Sequence, residues 1–163
     1  MDFFDSTYNE TDFLEPINEG LDPKVFARIL DFCRADFFSN YVGNILTKLI
    51  PGKAYTALDP EALHSNMSGF LHGGVTATLA DYSMGIACFT RGFVVVTTNF
   101  NISYLTVGKI GQKITTVGQV IRSGKKAMFT EAVMKNQQGK AVAKANGIYS
   151  IVSLLMDDDI MIT

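Results

Sequence analysis

Asn66, His72, Gly73, Gly74 and Asp81 follow one another into an almost wholly uncharged run, GFLHGGVTATLADYSMGIACFT at 69–90, whose one acidic side chain is Asp81. Glycines that open a helix leave the first backbone N–H groups free, let a ligand approach the main chain, and meet a dipole that favours negative charge. Such a tip can hold the oxygen of a carbonyl under attack. Asn66 offers a second donor from the preceding loop, although HGG alone also fits an ordinary glycine-rich helix entry. A carboxylate inside an apolar helix is costly unless it is partnered, protonated or open to a cleft. Two readings therefore stand side by side for Asp81: a structural acid tied to backbone amides or a lysine, and a base or nucleophile aimed at that carbonyl.

Geometry links the second reading to assembly. Eight residues separate Gly73 from Asp81, which is about 12 Å along a helix axis. A carboxylate cannot serve the tip of its own helix across that distance. If two copies of the helix lie antiparallel across a two-fold axis, each Asp81 approaches the other's Gly73 and two equivalent sites form. The catalytic reading thus predicts a homodimer.

The elements that must position these residues are legible in outline. DPKVFARILDFCRADFF opens with Asp22 as N-cap and Pro23 at the first helical position, and Val25, Phe26, Ile29, Leu30 and Phe32 or Cys33 recur at helical spacing. YVGNILTKLIPGKAYTAL (41–58) reads as two strands around a PGK turn. After Gly92 the period becomes two. In VVVTTNFNISYL, Val94, Val96, Thr98, Phe100, Ile102 and Tyr104 share one face, with Thr97, Asn99, Asn101 and Ser103 on the other. Three further alternating segments, divided by VGKIG, SGKK and NQQGK, complete an expected four-strand antiparallel meander. A helix that is apolar nearly all round must be wrapped, and the sheet is the available wrapper. The expectation is an α+β protein, a curled antiparallel sheet around one long central helix, with residues 1–38 as an extension carrying an amphipathic helix and 39–163 as a single domain. The 73–90 run is rejected as a membrane span because it is short, begins with Gly73-Gly74 and holds Asp81 at its midpoint.

Composition narrows the partners. At 163 residues and 47% hydrophobic content the chain fills one domain with a sizeable core. Cys33 and Cys88 stand far apart with no metal-ligand spacing, so neither a disulfide framework nor a metal site is expected, and Cys88 reads as a core residue. The acidic start MDFFDSTYNETDFLEP has no basic segment before an apolar stretch, which argues against a secretory leader and points to the cytoplasm. Residues 23–156 hold all fourteen Lys and Arg against six acids, a net +8 that suits an anionic partner or the chain's own acidic ends. No aromatic-interleaved basic motif or basic run favours nucleic acid.

The combined spacing of Asn66, Gly69, His72, Gly73, Gly74 and Asp81, with LHGGVTATLAD, NISYL and SGKKAMFTEAVM, resembles the hotdog-fold acyl-CoA thioesterases of the PaaI-like and thioesterase-superfamily group over roughly residues 40–152. The resemblance implies hydrolysis of an acyl-CoA thioester at a dimer interface. By that likeness the Gly73 amide and the Asn66 side chain polarise the thioester carbonyl with His72 beside them, and Asp81 of the other subunit acts as general base or nucleophile. Thr97 stands where relatives often carry a serine that orients the water or the carboxylate; its added methyl narrows the space. Arg122, Ser123, Lys125 and Lys126 stand where relatives contact the nucleotide of CoA, in keeping with the basic central body, although at least one of them reads equally as part of a solvated hairpin. No metal and no cofactor beyond the CoA of the substrate is implied, and assembly of dimers into tetramers is compatible with the likeness. His64 has no role in this pattern and reads as a loop residue. Two alternatives use the same fold: a non-catalytic acyl-CoA sensor, which gains nothing from a costly buried charge, and a dehydratase or hydratase, to which the spacing of His72 and Asp81 is less suited.

Overall fold

The computed structural model describes residues 15–157; the acidic stretch 1–14 and residues 158–163, with Asp158 and Asp159, lie outside the described residues. A two-residue strand β1 (Ile17–Asn18) precedes helix α1 (Pro23–Ala35) and the short helix α2 (Phe37–Tyr41). Asp22 caps α1 by accepting from the amides of Lys24 and Val25, with Pro23 at the first turn as local chemistry dictates. Asp36 then caps α2 through the amide and hydroxyl of Ser39. Strands β2 (Ile45–Ile50) and β3 (Lys53–Leu58) form the expected hairpin at Pro51-Gly52. A 3-10 turn (Ala62–His64) leads to the central helix α3 (Gly73–Phe89), followed by β4 (Phe93–Tyr104), β5 (Ile114–Ser123), β6 (Ala127–Asn136) and β7 (Ala141–Leu154).

The seven strands among the described residues belong to one sheet in the order β1-β2-β3-β5-β6-β7-β4, antiparallel except for the β1–β2 pair. The sheet packs on α3 through Leu79, Ala80, Met84 and Cys88 against Ile114, Met128, Met134 and Tyr149. This is the hotdog architecture, with two departures from the sequence expectation. First, the last four strands are not a simple meander, because β4 pairs with β7 at the far edge rather than with its successor β5. The 105–113 link crosses the sheet instead of turning tightly, and it is held to the loop before α3 by the Leu71 amide on the Gly108 carbonyl. Gly108 is required there, since a Cβ would stand 2.9 Å from that of Leu71. Second, the sheet is not the only wrapper. Helix α1 closes a second core, in which Phe26, Ile29, Leu30 and Cys33 meet Ile86 and Ala87 of α3. The close approach of α3 to β5 depends on Gly118, whose Cβ would lie 2.4 Å from the Ser83 backbone.

Both cysteines are buried, and burial pushes each thiol up from 9.0 to about 12. The unfolded chain therefore loses these protons before the folded chain does. Stability that is fully present below pH 9.0 drains away as pH rises toward about 12, by up to ~1.4 kcal/mol per pH unit for each thiol. Urea melts at about pH 8 and about pH 10.5 are expected to show this loss, and Cys88→Ala to shrink it; an equal drop in the variant would contradict the assignment.

Candidate active site

The site begins with the loop that precedes α3. Asn66 Oδ1 accepts from the amides of Ser68 and Phe70, at 2.9 and 3.1 Å, which locks the turn and leaves the Asn66 Nδ2 donors unused by the described residues. His72 caps α3, its Nδ1 accepting from the Gly74 amide at 2.9 Å. Gly73 is the first helical residue; its carbonyl accepts from the Tyr104 hydroxyl at 2.9 Å, and its N–H takes no acceptor among the described residues. A side chain at Gly73 would press on that tyrosine, 3.3 Å away. His72 and Gly73 thus form the helix tip, Asn66 stands in the turn that leads into it, and the Gly73 N–H and Asn66 Nδ2 take no acceptor among the described residues.

Asp81 lies two turns further on, half-buried, and is not brought to that tip. Its Oδ1 accepts from the Thr97 hydroxyl at 2.9 Å and from the Tyr149 hydroxyl at 2.7 Å. Its Oδ2 has no hydrogen-bond partner among the described residues. Neither a lysine nor a backbone amide among the described residues holds this carboxylate; two hydroxyls do. These fix one oxygen and leave the other without a partner among the described residues, and Asp81 lines the cavity beside it. Burial and the adjacent Asp81 charge hold the Tyr149 phenol far above its ordinary range, so it remains the donor in this pair.

Thr97 reaches Asp81 by a route the alternating pattern does not show. The β4–β7 register slips between Thr97 and Asn99, which leaves Thr98 as an extra residue. Val95 and Thr97 before the slip and Phe100 and Ile102 after it all turn toward α3, whereas Val96 is 54% exposed. The expected single face from Val94 through Val96 to Tyr104 is therefore corrected at this bulge. Tyr149 carries no such signal in the sequence. It meets Asp81 only because β7 pairs with β4, with Tyr149 opposite Thr97.

The basic residues stand apart from this centre. Arg122 and Ser123 end β5, Lys125 and Lys126 form the turn to β6, and all four are exposed. None of the three bases is in an ion pair among the described residues. Ser123, Met128, Tyr149 and Thr97 are aligned across β5, β6, β7 and β4, so two strand spacings, about 10 Å, separate the hairpin from Tyr149 and three, about 14 Å, from Thr97. His64, expected as a loop residue, is a buried brace: its Nδ1 accepts from the Glu61 amide and its Nε2 donates to the Val42 carbonyl. No group of three or more His, Cys, Asp or Glu that could hold a metal occurs among the described residues, and no helix among them is long and apolar enough to cross a membrane.

A curled sheet around one helix, with free donors at the helix tip and an anchored carboxylate at its middle, defines the class: the chain belongs to the thioesterase superfamily, whose family model matches residues 68–143. Among particular relatives, it is 36% identical over 115 residues to acyl-coenzyme A thioesterase 13 of Homo sapiens, an alignment covering 68% of this chain and 82% of that one. The fold matches the structure of the PaaI protein of the Escherichia coli phenylacetic acid degradation operon with a TM-score of 0.78 at 25% identity, covering 83% and 98% of the two chains. A Streptococcus mutans protein solved with acetyl CoA bound matches with a TM-score of 0.67 at 26% identity, covering 68% and 90%.

Proposed function

We propose that the protein hydrolyses acyl-CoA thioesters to a free acid and CoA, at two equivalent sites formed between two copies of the chain. The observation that carries this reading is the Asp81 carboxylate, which lines a cavity with one oxygen anchored by Thr97 and Tyr149 and the other unpartnered among the described residues. Opposite it in function stand the Gly73 N–H and the Asn66 side-chain amide, two fixed donors for the oxyanion that forms when a thioester carbonyl is attacked. Asp81 either takes the proton of an attacking water or attacks the carbonyl itself. As base, Asp81 passes the water's proton to the CoA thiolate as the C–S bond breaks; as nucleophile, it forms a mixed anhydride as the C–S bond breaks, and a water then cleaves the anhydride to the free acid and the regenerated carboxylate, its proton going to the thiolate.

The two halves are separated by about 12 Å within one chain, so a productive site requires the tip of a second copy. Strand β4 supports that assembly. It is a 12-residue edge with one side unpaired among the described residues, and with the link that follows it exposes Val96, Tyr104, Leu105 and Val107. Such an edge is an open template for pairing, and pairing two copies about a two-fold axis lays the α3 helices antiparallel. The Arg122–Lys126 hairpin supplies uncompensated positive charge for the phosphates of CoA.

Release of free thiol from a panel of acyl-CoAs by the purified protein tests the reading; tight binding without thiol release across the panel would replace it with a sensor. The Tyr149 role has its own check. In Tyr149→Phe the carboxylate loses one of two anchors, and kcat is expected to fall about tenfold with KM within about twofold. Unchanged kcat would remove Tyr149 from the site.

A further inference from the structure

The cavity beside Asp81 continues past the carboxylate. Asp81, Gly85 and Phe89 line it from successive turns of α3, a run of about 12 Å. Its opposite wall is not part of the segment that matches the family model. Phe32 and Cys33 from the end of α1, with Asp36, form that wall. At its far end two aromatic rings that line it, Phe32 and Phe89, meet edge to face at 5.2 Å and 79°. The Arg28 guanidinium lies 5.1 Å from the Phe32 ring centre and donates to the Leu155 carbonyl, so the ring is held on both sides.

Gly85 points to use of this space. A glycine in mid-helix lowers stability relative to alanine, and here no contact demands it. Its φ is ordinary, and the nearest atom a Cβ would meet is Tyr149 Cε1 at 3.7 Å, normal van der Waals distance. This differs from Gly118, where backbone blocks any side chain. What a larger residue at position 85 would fill is the cavity.

Size and charge define the occupant. The cavity measures about 250 Å³, less than the ~300–1,000 Å³ of pockets that enclose whole drug-sized ligands. At roughly 30 Å³ per water-sized group it holds about eight heavy atoms, which suits an acyl tail with the CoA outside. Two carboxylates, Asp36 and Asp81, line it, with no lysine or arginine. A tail ending in its own carboxylate would meet like charge there.

We infer that the end of α1 closes the acyl pocket of this protein, which takes an uncharged acyl chain of about eight heavy atoms, and that the Phe32–Phe89 ring pair is the stop that sets its length. The inference rests on the thioesterase reading of the Asp81 site. It predicts kcat/KM that rises from acetyl- through butyryl- to octanoyl-CoA and falls by about tenfold or more at palmitoyl-CoA, since pocket-filling steps discriminate by such factors. Phe32→Ala should raise the palmitoyl-to-octanoyl ratio about tenfold, and Gly85→Leu should move the optimum to butyryl-CoA or shorter. Suberyl-CoA, the octanoyl chain with a terminal carboxylate, should be turned over about tenfold less efficiently than octanoyl-CoA.

Phe32 also packs in the α1–α3 core, so Phe32→Leu is measured beside it, with thermal melts of all variants; the leucine should shift the optimum in the same direction by less. The inference is overturned by a chain-length profile that is the same in every folded variant, by efficient palmitoyl turnover in the unmodified protein, or by equal rates with suberyl- and octanoyl-CoA. Calorimetric binding of the uncharged series to Asp81→Asn separates this outcome from failure of the thioesterase reading. A length limit in Kd without any thiol release by the unmodified protein leaves the pocket and removes the hydrolase; thiol release without a length limit removes the pocket.

Discussion

Asp81→Asn is expected to lower kcat for acyl-CoA hydrolysis by about a hundredfold or more while leaving KM close to that of the unmodified protein. The structure makes this substitution unusually clean. The asparagine side chain keeps a carbonyl oxygen where Oδ1 now accepts from Thr97 and Tyr149, so the anchoring survives. What changes is the other end, where an unpartnered carboxylate oxygen becomes an amide that can neither take a proton from water nor attack a carbonyl. Melting temperature should move little, because no ion pair among the described residues depends on Asp81. Steady-state rates with acyl-CoA and a thiol reagent, alongside a melt, measure both. Activity retained within a few-fold would eliminate Asp81 as the base or nucleophile and leave its position in the fold without a chemical role.

The contrast between what was readable and what was not follows the range of the forces involved. The α1 start was legible because an N-cap and a first-turn proline act within three residues. The helix tip was legible for the same reason: His72, Gly73 and Gly74 are adjacent, and their donors are a local property of a helix end. The Asp81 surroundings were only half legible. Thr97 was reachable through resemblance, but strict alternation puts it on the wrong face, and the bulge at Thr98 that corrects this is set by pairing with β7 rather than by a turn residue in β4. Tyr149 lies 68 residues from its partner, and nothing in GIYSIV marks that tyrosine over any other apolar strand residue. The strand order has the same cause. The 105–113 link contains glycines that suggest a tight turn, yet its role is to cross the helix tip and pin Leu71, a contact visible only once both segments are placed. The amphipathic face of α1 signalled that it would be buried, without signalling that its last turn would wall the cavity beside the carboxylate.

The division of the site between two chains leads to a result that no single-chain reading produces: two inactive variants should repair one another. Asn66→Asp is the second partner of choice. Its retained oxygen still accepts from the Ser68 and Phe70 amides and keeps the turn, while the Nδ2 donor is replaced by an acceptor, a change expected to lower kcat by about a hundredfold or more, as loss of one oxyanion donor does. Co-expressing this variant with Asp81→Asn under different tags, and purifying through both tags in turn, isolates mixed dimers. In each, one site combines both lesions, and the other pairs an intact Asp81 with an intact Asn66 and Gly73. Such dimers should recover about half the activity of the unmodified dimer, a gain of tens of fold over either parent. If Asp81 and Asn66 of the same chain served one carbonyl, every site in the mixed dimer would carry one lesion and no gain would appear. That outcome would require the roughly 12 Å between tip and carboxylate to close within one chain, against the rigid helix that holds them apart.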